Sequence, residues 1–155
     1  MKLAIGNDHA AVDMKNEIME HLKNRGIEVI NVGTDSAERF DYAIAAYRAA
    51  KLVTAGEVDG AVLICGTGVG IGLAANKVHG IRCCICSDPY TATLAKQHNT
   101  ANAIAFGARV IGPETAKMIV DEWLDAEFLG GRHATRVDMV MEIEATQRLA
   151  AAETA

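Results

Sequence analysis

Gly60-Ala61-Val62-Leu63-Ile64-Cys65-Gly66-Thr67-Gly68-Val69-Gly70 begins as an unbroken apolar run, closes that run on a cysteine, and passes through spaced glycines into helical sequence. A short continuous apolar run bounded by glycine is what a strand covered on both faces requires. The same alternation extends in both directions. Strands are expected at 2–6, 28–32, 60–65, 82–86 and 103–106, and helices near 10–24, 42–54, 70–77, 90–97 and 113–127. Pro113 suits a helix's first turn, where its missing N–H costs nothing, and Gly26 suits the position just past a helix end. The pattern predicts an α/β fold: a doubly wound sheet of five parallel strands, in the order 2-1-3-4-5.

A chain of 155 residues is too short for two independent α/β units, so one domain is expected over 1–149. Its last part, 132–149, carries Val137, Val140, Met141 and Ile143 but leads to no further strand, which predicts an appended helix packed on a partner subunit. The Ala-rich end, 150–155, is expected to fray. No apolar run approaches bilayer length, and Met1 leads straight into strand-like sequence without a signal-peptide pattern. A cytoplasmic protein with no membrane partner is the expectation. A formal net charge of −5 argues against a nucleic-acid partner, because affinity for a phosphate backbone comes from clustered Lys and Arg.

Ligands of doubly wound sheets collect at the carboxyl ends of strands. Here two such ends are rich in reactive groups: Gly6-Asn7-Asp8-His9 after the first strand and the Cys65 turn after the third. Glycines let backbone N–H groups crowd around an anion, and a helix N-terminus adds partial positive charge. That setting is expected to leave some of Cys65 as thiolate near neutral pH, and a thiolate can act as a base. A purely structural account makes Cys65 the last buried residue of its strand, Asp8 a helix cap and His98 a partner for a helix C-terminus. Arg132 and Arg136 lie four apart on one helical face, a spacing that suits a phosphate grip as well as a solvated basic surface. Cys83, Cys84 and Cys86 read as core thiols of a strand; a zinc site is weakly supported, since no second pair at zinc spacing follows.

Several motifs along the chain resemble one family, ribose-5-phosphate isomerase B with the allose- and galactose-6-phosphate isomerases. They are Leu63-Ile64-Cys65-Gly66-Thr67-Gly68-Val69-Gly70-Ile71, Ala74-Ala75-Asn76-Lys77-Val78, Gly107-Ala108-Arg109-Val110-Ile111-Gly112 and Glu127-Phe128-Leu129-Gly130-Gly131-Arg132-His133, within a likeness running from Ala4 to about Ile143. The resemblance implies a Rossmann-like subunit, a homodimer or dimer of dimers whose active sites combine two chains, and proton transfer on a sugar phosphate without metal or organic cofactor. Cys65 matches the base of the cysteine-using branch; the other branch carries a glutamate six positions on, where this chain has Ile71. By the same resemblance His98 is the ring-opening acid, with Asp8 assisting. His9, Arg109, Arg132 and Arg136 hold the phosphate end or neighbouring hydroxyls, Asn99 binds a hydroxyl, and Tyr42 lies near the substrate. Gly66, Thr67, Gly68, Val69 and Gly70 line the reacting carbons, with Thr67 and the loop amides at the enediolate oxygen.

The chain departs from the family at Ala11, Ala43 and His79, where members usually carry Gly, Pro and Pro. Ribose 5-phosphate is the first expected substrate, with allose 6-phosphate or a tetrose phosphate as alternatives. A nucleotide-binding module is the rival of another class, disfavoured because the glycine turn follows the third strand rather than the first. A thiol redox protein ranks last, for want of a Cys-x-x-Cys motif.

Overall fold

The apolar runs pair as one parallel sheet in the order β2-β1-β3-β5-β4 in a computed structural model that describes residues 1–153. The strands are β1 Lys2–Asn7, β2 Glu28–Asn31, β3 Gly60–Cys65, β4 Cys83–Ile85 and β5 Ala103–Gly107. Helices α1 Val12–Asn24, α2 Tyr42–Thr54, α3 Val69–Ala75, α4 Pro89–Asn99, α5 Pro113–Asp125, α6 Arg132–Thr146 and α7 Ala150–Glu153 complete the chain.

Alternating side chains divide the core into two layers. Leu3, Ile5, Val62, Ile64, Ile104 and Phe106 face α1, α4 and α5, where Ile18, Leu22, Ala92, Ile119 and Trp123 cover them. The opposite face carries Ala4, Ala61, Leu63, Cys65, Ala103 and Ala105, and there α2 and α3 pack through Ala45, Ala46, Ala49, Ala50, Ile71 and Ala75. Alanine on both sides of that second layer lets α2 lie close against the sheet.

The doubly wound parallel sheet matches expectation, but the strand order needs correction: β5, not β4, is the neighbour of β3. All five residues of β5 are buried, whereas Ile85 at the end of β4 remains 36% exposed. Burying an aliphatic or aromatic side chain is worth about 1.5–3 kcal/mol. Placing the Ile104/Phe106 strand in the interior and the short cysteine strand at the edge therefore wins over sequential order. Several ends also shift. A 3-10 turn, His9–Ala11, precedes α1. The third helix stops at Ala75, because the Asn76 amide turns away to exchange hydrogen bonds with the Cys83 backbone at 2.7 and 2.8 Å. The Ala-rich end forms α7 rather than fraying from residue 150, while residues 154–155 lie outside the described region.

The appended helix α6 lies against α4 and buries only His133, leaving Val140 and Ile143 50% and 43% exposed. Among the described residues no helix is long and apolar enough to cross a membrane.

Candidate active site

Cys65 ends β3 with only 4% of its surface exposed, and its Sγ accepts the Gly68 N–H at 3.1 Å. Two glycines make this turn possible. Gly68 has φ +81°, and a Cβ there would sit 2.6 Å from the Phe106 backbone; a Cβ on Gly107 would strike the Thr67 backbone at the same distance. The turn is thus laid directly over the end of β5 and tied to it, Ala108 N–H donating to the Cys65 carbonyl at 2.9 Å and Arg109 N–H to that of Gly66 at 3.1 Å. The Arg109 side chain runs along Gly66, with Nη1 3.6 Å from where a Cβ would stand. Tyr42, at the start of α2, lays its ring on Gly70, where a Cβ would come within 2.7 Å of Cζ. First-turn amides of α3 have no carbonyl inside the helix, and that of Val69 makes only a long 3.4 Å contact with the exposed Thr67 hydroxyl.

Asp8 enters the same edge from β1. Its N–H donates to the Ile64 carbonyl at 3.2 Å, beside Cys65, and its buried carboxylate accepts the Ala10 N–H at 2.9 Å. The cap predicted for Asp8 is therefore present, and it fixes the carboxylate at the crevice. His9 is exposed, with Nδ1 3.3 Å from the Phe40 nitrogen and 3.2 Å from the Phe40 oxygen. Either tautomer anchors the ring to that one backbone unit.

A second group forms where α4 ends and α6 begins. The rings of His98 and His133 stack with centroids 4.0 Å apart and planes 6° from parallel. Burial, and then the positive charges of His98, Arg132 and Arg136, hold the His133 imidazole below the usual histidine range. Leu129 N–H donates to the Gln97 carbonyl at 3.0 Å and joins the α5–α6 connection to α4. Arg132 and Arg136 are exposed on α6, and Asn99 is exposed at the end of α4.

These two groups occupy opposite ends of the sheet. Cys65 pairs with Gly107 at the carboxyl end of β5, whereas His98 and Asn99 precede Ala103 at its amino end. Five residues at about 3.3 Å each separate the groups by roughly 15 Å within one protomer. The structure therefore brings together Asp8, His9, Tyr42, Gly66, Thr67, Gly68, Val69, Gly70 and Arg109 around Cys65, and gathers His98, Asn99, Arg132 and Arg136 elsewhere. A groove of about 680 Å³ lies on the side of the second group, between α4, β4 and α6, with Leu94, Asn99, Val137, Val140 and Ile143 in its walls. The Cys65 turn stands outside it, at the carboxyl end of the central strand β3.

The other thiols belong to the edge strand. Cys83 lies on the α3 side of the sheet and burial pushes its thiol up to about 12, while Cys84 and Cys86 share the opposite face. There the Cys86 S–H favours the Cys84 thiolate, and its own pKa is raised by the same bond. Among the described residues no three His, Cys, Asp or Glu side chains are grouped as a metal ion requires. Sequence reading includes Asn7 and His133 in its motifs but gives neither a role. A polar residue closing the apolar run of β1 was the available sign for Asn7; none announced the ring stack.

The model of a family described as Ribose/Galactose Isomerase matches residues 3–140. Ribose-5-phosphate isomerase B of Escherichia coli (strain K12) is 56% identical over 143 residues, 92% of this chain and 96% of that protein. D-erythrulose-4-phosphate isomerase of Pectobacterium atrosepticum is 45% identical, covering 90% of this chain and 93% of its own length. Among solved structures, ribose-5-phosphate isomerase B of Clostridium thermocellum superposes with a TM-score of 0.93 at 49% identity, over 96% of this chain and all of that one. The chain belongs to the ribose/galactose isomerase family.

Proposed function

We propose that this member of the ribose/galactose isomerase family interconverts an aldose phosphate and its ketose, D-ribose 5-phosphate and D-ribulose 5-phosphate first, with Cys65 as the base. The observation that carries the reading is the Cys65 thiol held at 3.1 Å by the Gly68 amide, at the mouth of a glycine turn that opens on a helix N-terminus. Preorganised donors of this kind stabilise a developing oxyanion by about 3 kcal/mol each. On the open-chain aldose, Cys65 thiolate takes the C2 proton as electrons move to the carbonyl oxygen, giving an enediolate. Thr67 and the loop amides hold that oxygen. Returning the proton to C1, while the C2 hydroxyl passes its own to the oxygen on C1, yields the ketose. Ile71 is fully buried and apolar, so the position that holds a glutamate in the other branch offers no second base.

His98 acts before this step by giving a proton to the ring oxygen, with Asp8 taking the one on the anomeric hydroxyl; His9, Arg109, Arg132 and Arg136 hold the phosphate end or neighbouring hydroxyls, and Asn99 binds a hydroxyl. One substrate molecule cannot reach both groups of a single protomer, so a second copy supplies His98, Asn99, Arg132 and Arg136 to each Cys65. The exposed apolar residues of α6 favour that pairing. Four free cysteines fit a reducing, cytoplasmic setting. A tetrose phosphate is the second reading, favoured by the 45% identity to the erythrulose-phosphate enzyme and by Ala43 beside Tyr42. Kinetics on ribose 5-phosphate, allose 6-phosphate and erythrose 4-phosphate, with detection of ketose, test the proposal: ribose 5-phosphate should give the highest kcat/KM, and no turnover of any of them would refute it.

A further inference from the structure

Lys15 is the chain's one fully buried charge-bearing side chain among the described residues, with 0% of its surface exposed. It stands on α1, outside the residues assigned to the chemistry. Its Nζ donates to the Thr34 carbonyl at 3.3 Å and to the carboxylate of Asp35, whose own side chain is 78% exposed. Taking an ammonium out of water is unfavourable unless its hydrogen bonds are replaced, and a core that needed only volume would be served by methionine. The lysine's partners lie outside the core, in the connection between β2 and α2.

The same connection is held from a second side. Asn7, fully buried at the end of β1, donates from Nδ2 to the Thr34 carbonyl at 3.0 Å and to that of Asp8 at 2.9 Å; its Oδ1 accepts the Thr34 N–H at 3.2 Å. Gly33 permits this approach, since a Cβ there would overlap the Asn7 side chain at 2.0 Å. The Thr34 carbonyl thus receives two donors, one from α1 and one from β1. Asn31 completes the clamp, donating to Asp35 at 3.0 Å and accepting the Gly33 N–H at 3.0 Å.

Beyond this anchor the chain has few fixed points before it reaches Phe40, whose backbone holds the His9 ring, and Tyr42, whose ring covers Gly70. We infer that Lys15 is a positioning residue of the sugar-phosphate site: by pinning Thr34 and Asp35 it sets where the 33–41 connection places His9 and Tyr42 against the substrate. The inference rests on the isomerase reading for its substrate and on the hydrogen-bond geometry for its mechanism. The Lys15 hydrogen bond, and then its charge, hold the Asp35 carboxyl below its ordinary range.

Amide hydrogen exchange and steady-state kinetics on Lys15→Met and Asp35→Ala provide the test. Loss of a charge-assisted bond should speed exchange across 33–40 and raise KM for ribose 5-phosphate by about tenfold in Lys15→Met, and by less in Asp35→Ala, with kcat changed under about threefold. A lysine with a merely structural role would lower thermal stability and active fraction, and so kcat, without moving KM. Should Lys15→Met fail to fold, Asp35→Ala decides alone, because its exposed side chain is not needed for the core. Wild-type exchange in the connection, or faster exchange with unchanged KM, overturns the inference. Wild-type enzyme inactive on every aldose phosphate would instead refute the isomerase reading, and the exchange data would still report on the clamp.

Discussion

The carboxyl-edge group and the amino-edge group are built in opposite ways. Around Cys65 the turn itself is set by backbone: a left-handed Gly68, a Gly107 that admits Thr67, and amides tied across β3 and β5. Around His98 the backbone contributes little beyond two helix ends, and placement comes from a ring stack and a helix that buries a single residue. Breaking a C–H bond requires a base and an oxyanion site fixed within a fraction of an ångström, which strand ends supply. Gripping a phosphate requires charge and reach, which exposed arginines on an outer helix supply. One protomer carries both halves at opposite ends of a sheet, which makes the assembly of two copies a condition of the proposed chemistry.

The largest effect should come from the rigid half. Cys65→Ala removes the only base in the proposed mechanism and should lower kcat by roughly a hundred- to ten-thousand-fold while KM stays near wild type; substantial residual turnover would end the thiolate mechanism. Next in size is a test of the division itself. Cys65→Ala and His98→Asn chains, each impaired on cyclic substrate, should regain about a quarter of wild-type activity after mixing and subunit exchange, since half of randomly formed dimers are hybrids with one intact site of two. If native mass spectrometry shows hybrids and activity does not return, the two halves do not meet across an interface.

Much of the rigid half was legible in sequence because its determinants are local. The run 60–65, its cysteine and the glycines at 66, 68 and 70 are neighbours in the chain, and their meaning survives without knowledge of the rest. The element pattern was legible for the same reason. Strand order was not, because it depends on which of two apolar runs gains more from burial, and Ile85 gives no sign in sequence of being left at an edge. Equally hidden were contacts between distant residues: Asn7 with Thr34, Lys15 with Asp35, and His98 with His133, separated by 20 to 35 positions. The last pair forms because the α5–α6 connection bonds to the end of α4 through Leu129.

A smaller effect sharpens the role of the outer helix. Arg136→Ala should raise KM for ribose 5-phosphate by about ten- to a hundredfold, the equivalent of about 1.5–3 kcal/mol for one charge-assisted contact, with little change in kcat. Combined with Cys65→Ala it should leave the residual rate unaltered and weaken binding as the single variant does, since the two act on different steps. Unchanged KM would return Arg136 to a solvated surface.

The smallest effect concerns the stack. His133 is buried and its imidazole is held below the histidine value of the unfolded chain, so the folded state binds fewer protons than the unfolded state once pH falls below about 6.5. Stability then rises with pH through that window: the contribution of a neutral His133 is fully present above the unfolded value and is lost as acidification proceeds toward the depressed folded one. In His133→Phe, which keeps an aromatic face against His98 but cannot titrate, thermal melting should depend less steeply on pH between 7 and 5 than in the wild type, with carboxylate effects common to both and cancelling in the difference. Part of the depression comes from Arg132 and Arg136, so inorganic phosphate at that clamp should narrow the gap between wild type and variant without closing it, because burial is the larger cause. Parallel melting curves with and without the histidine would mean that the ring is hydrated and the stack open in solution. The amino-edge group would then be held to the end of α4 by the Leu129 bond, without the ring contact that fixes the arginines of α6.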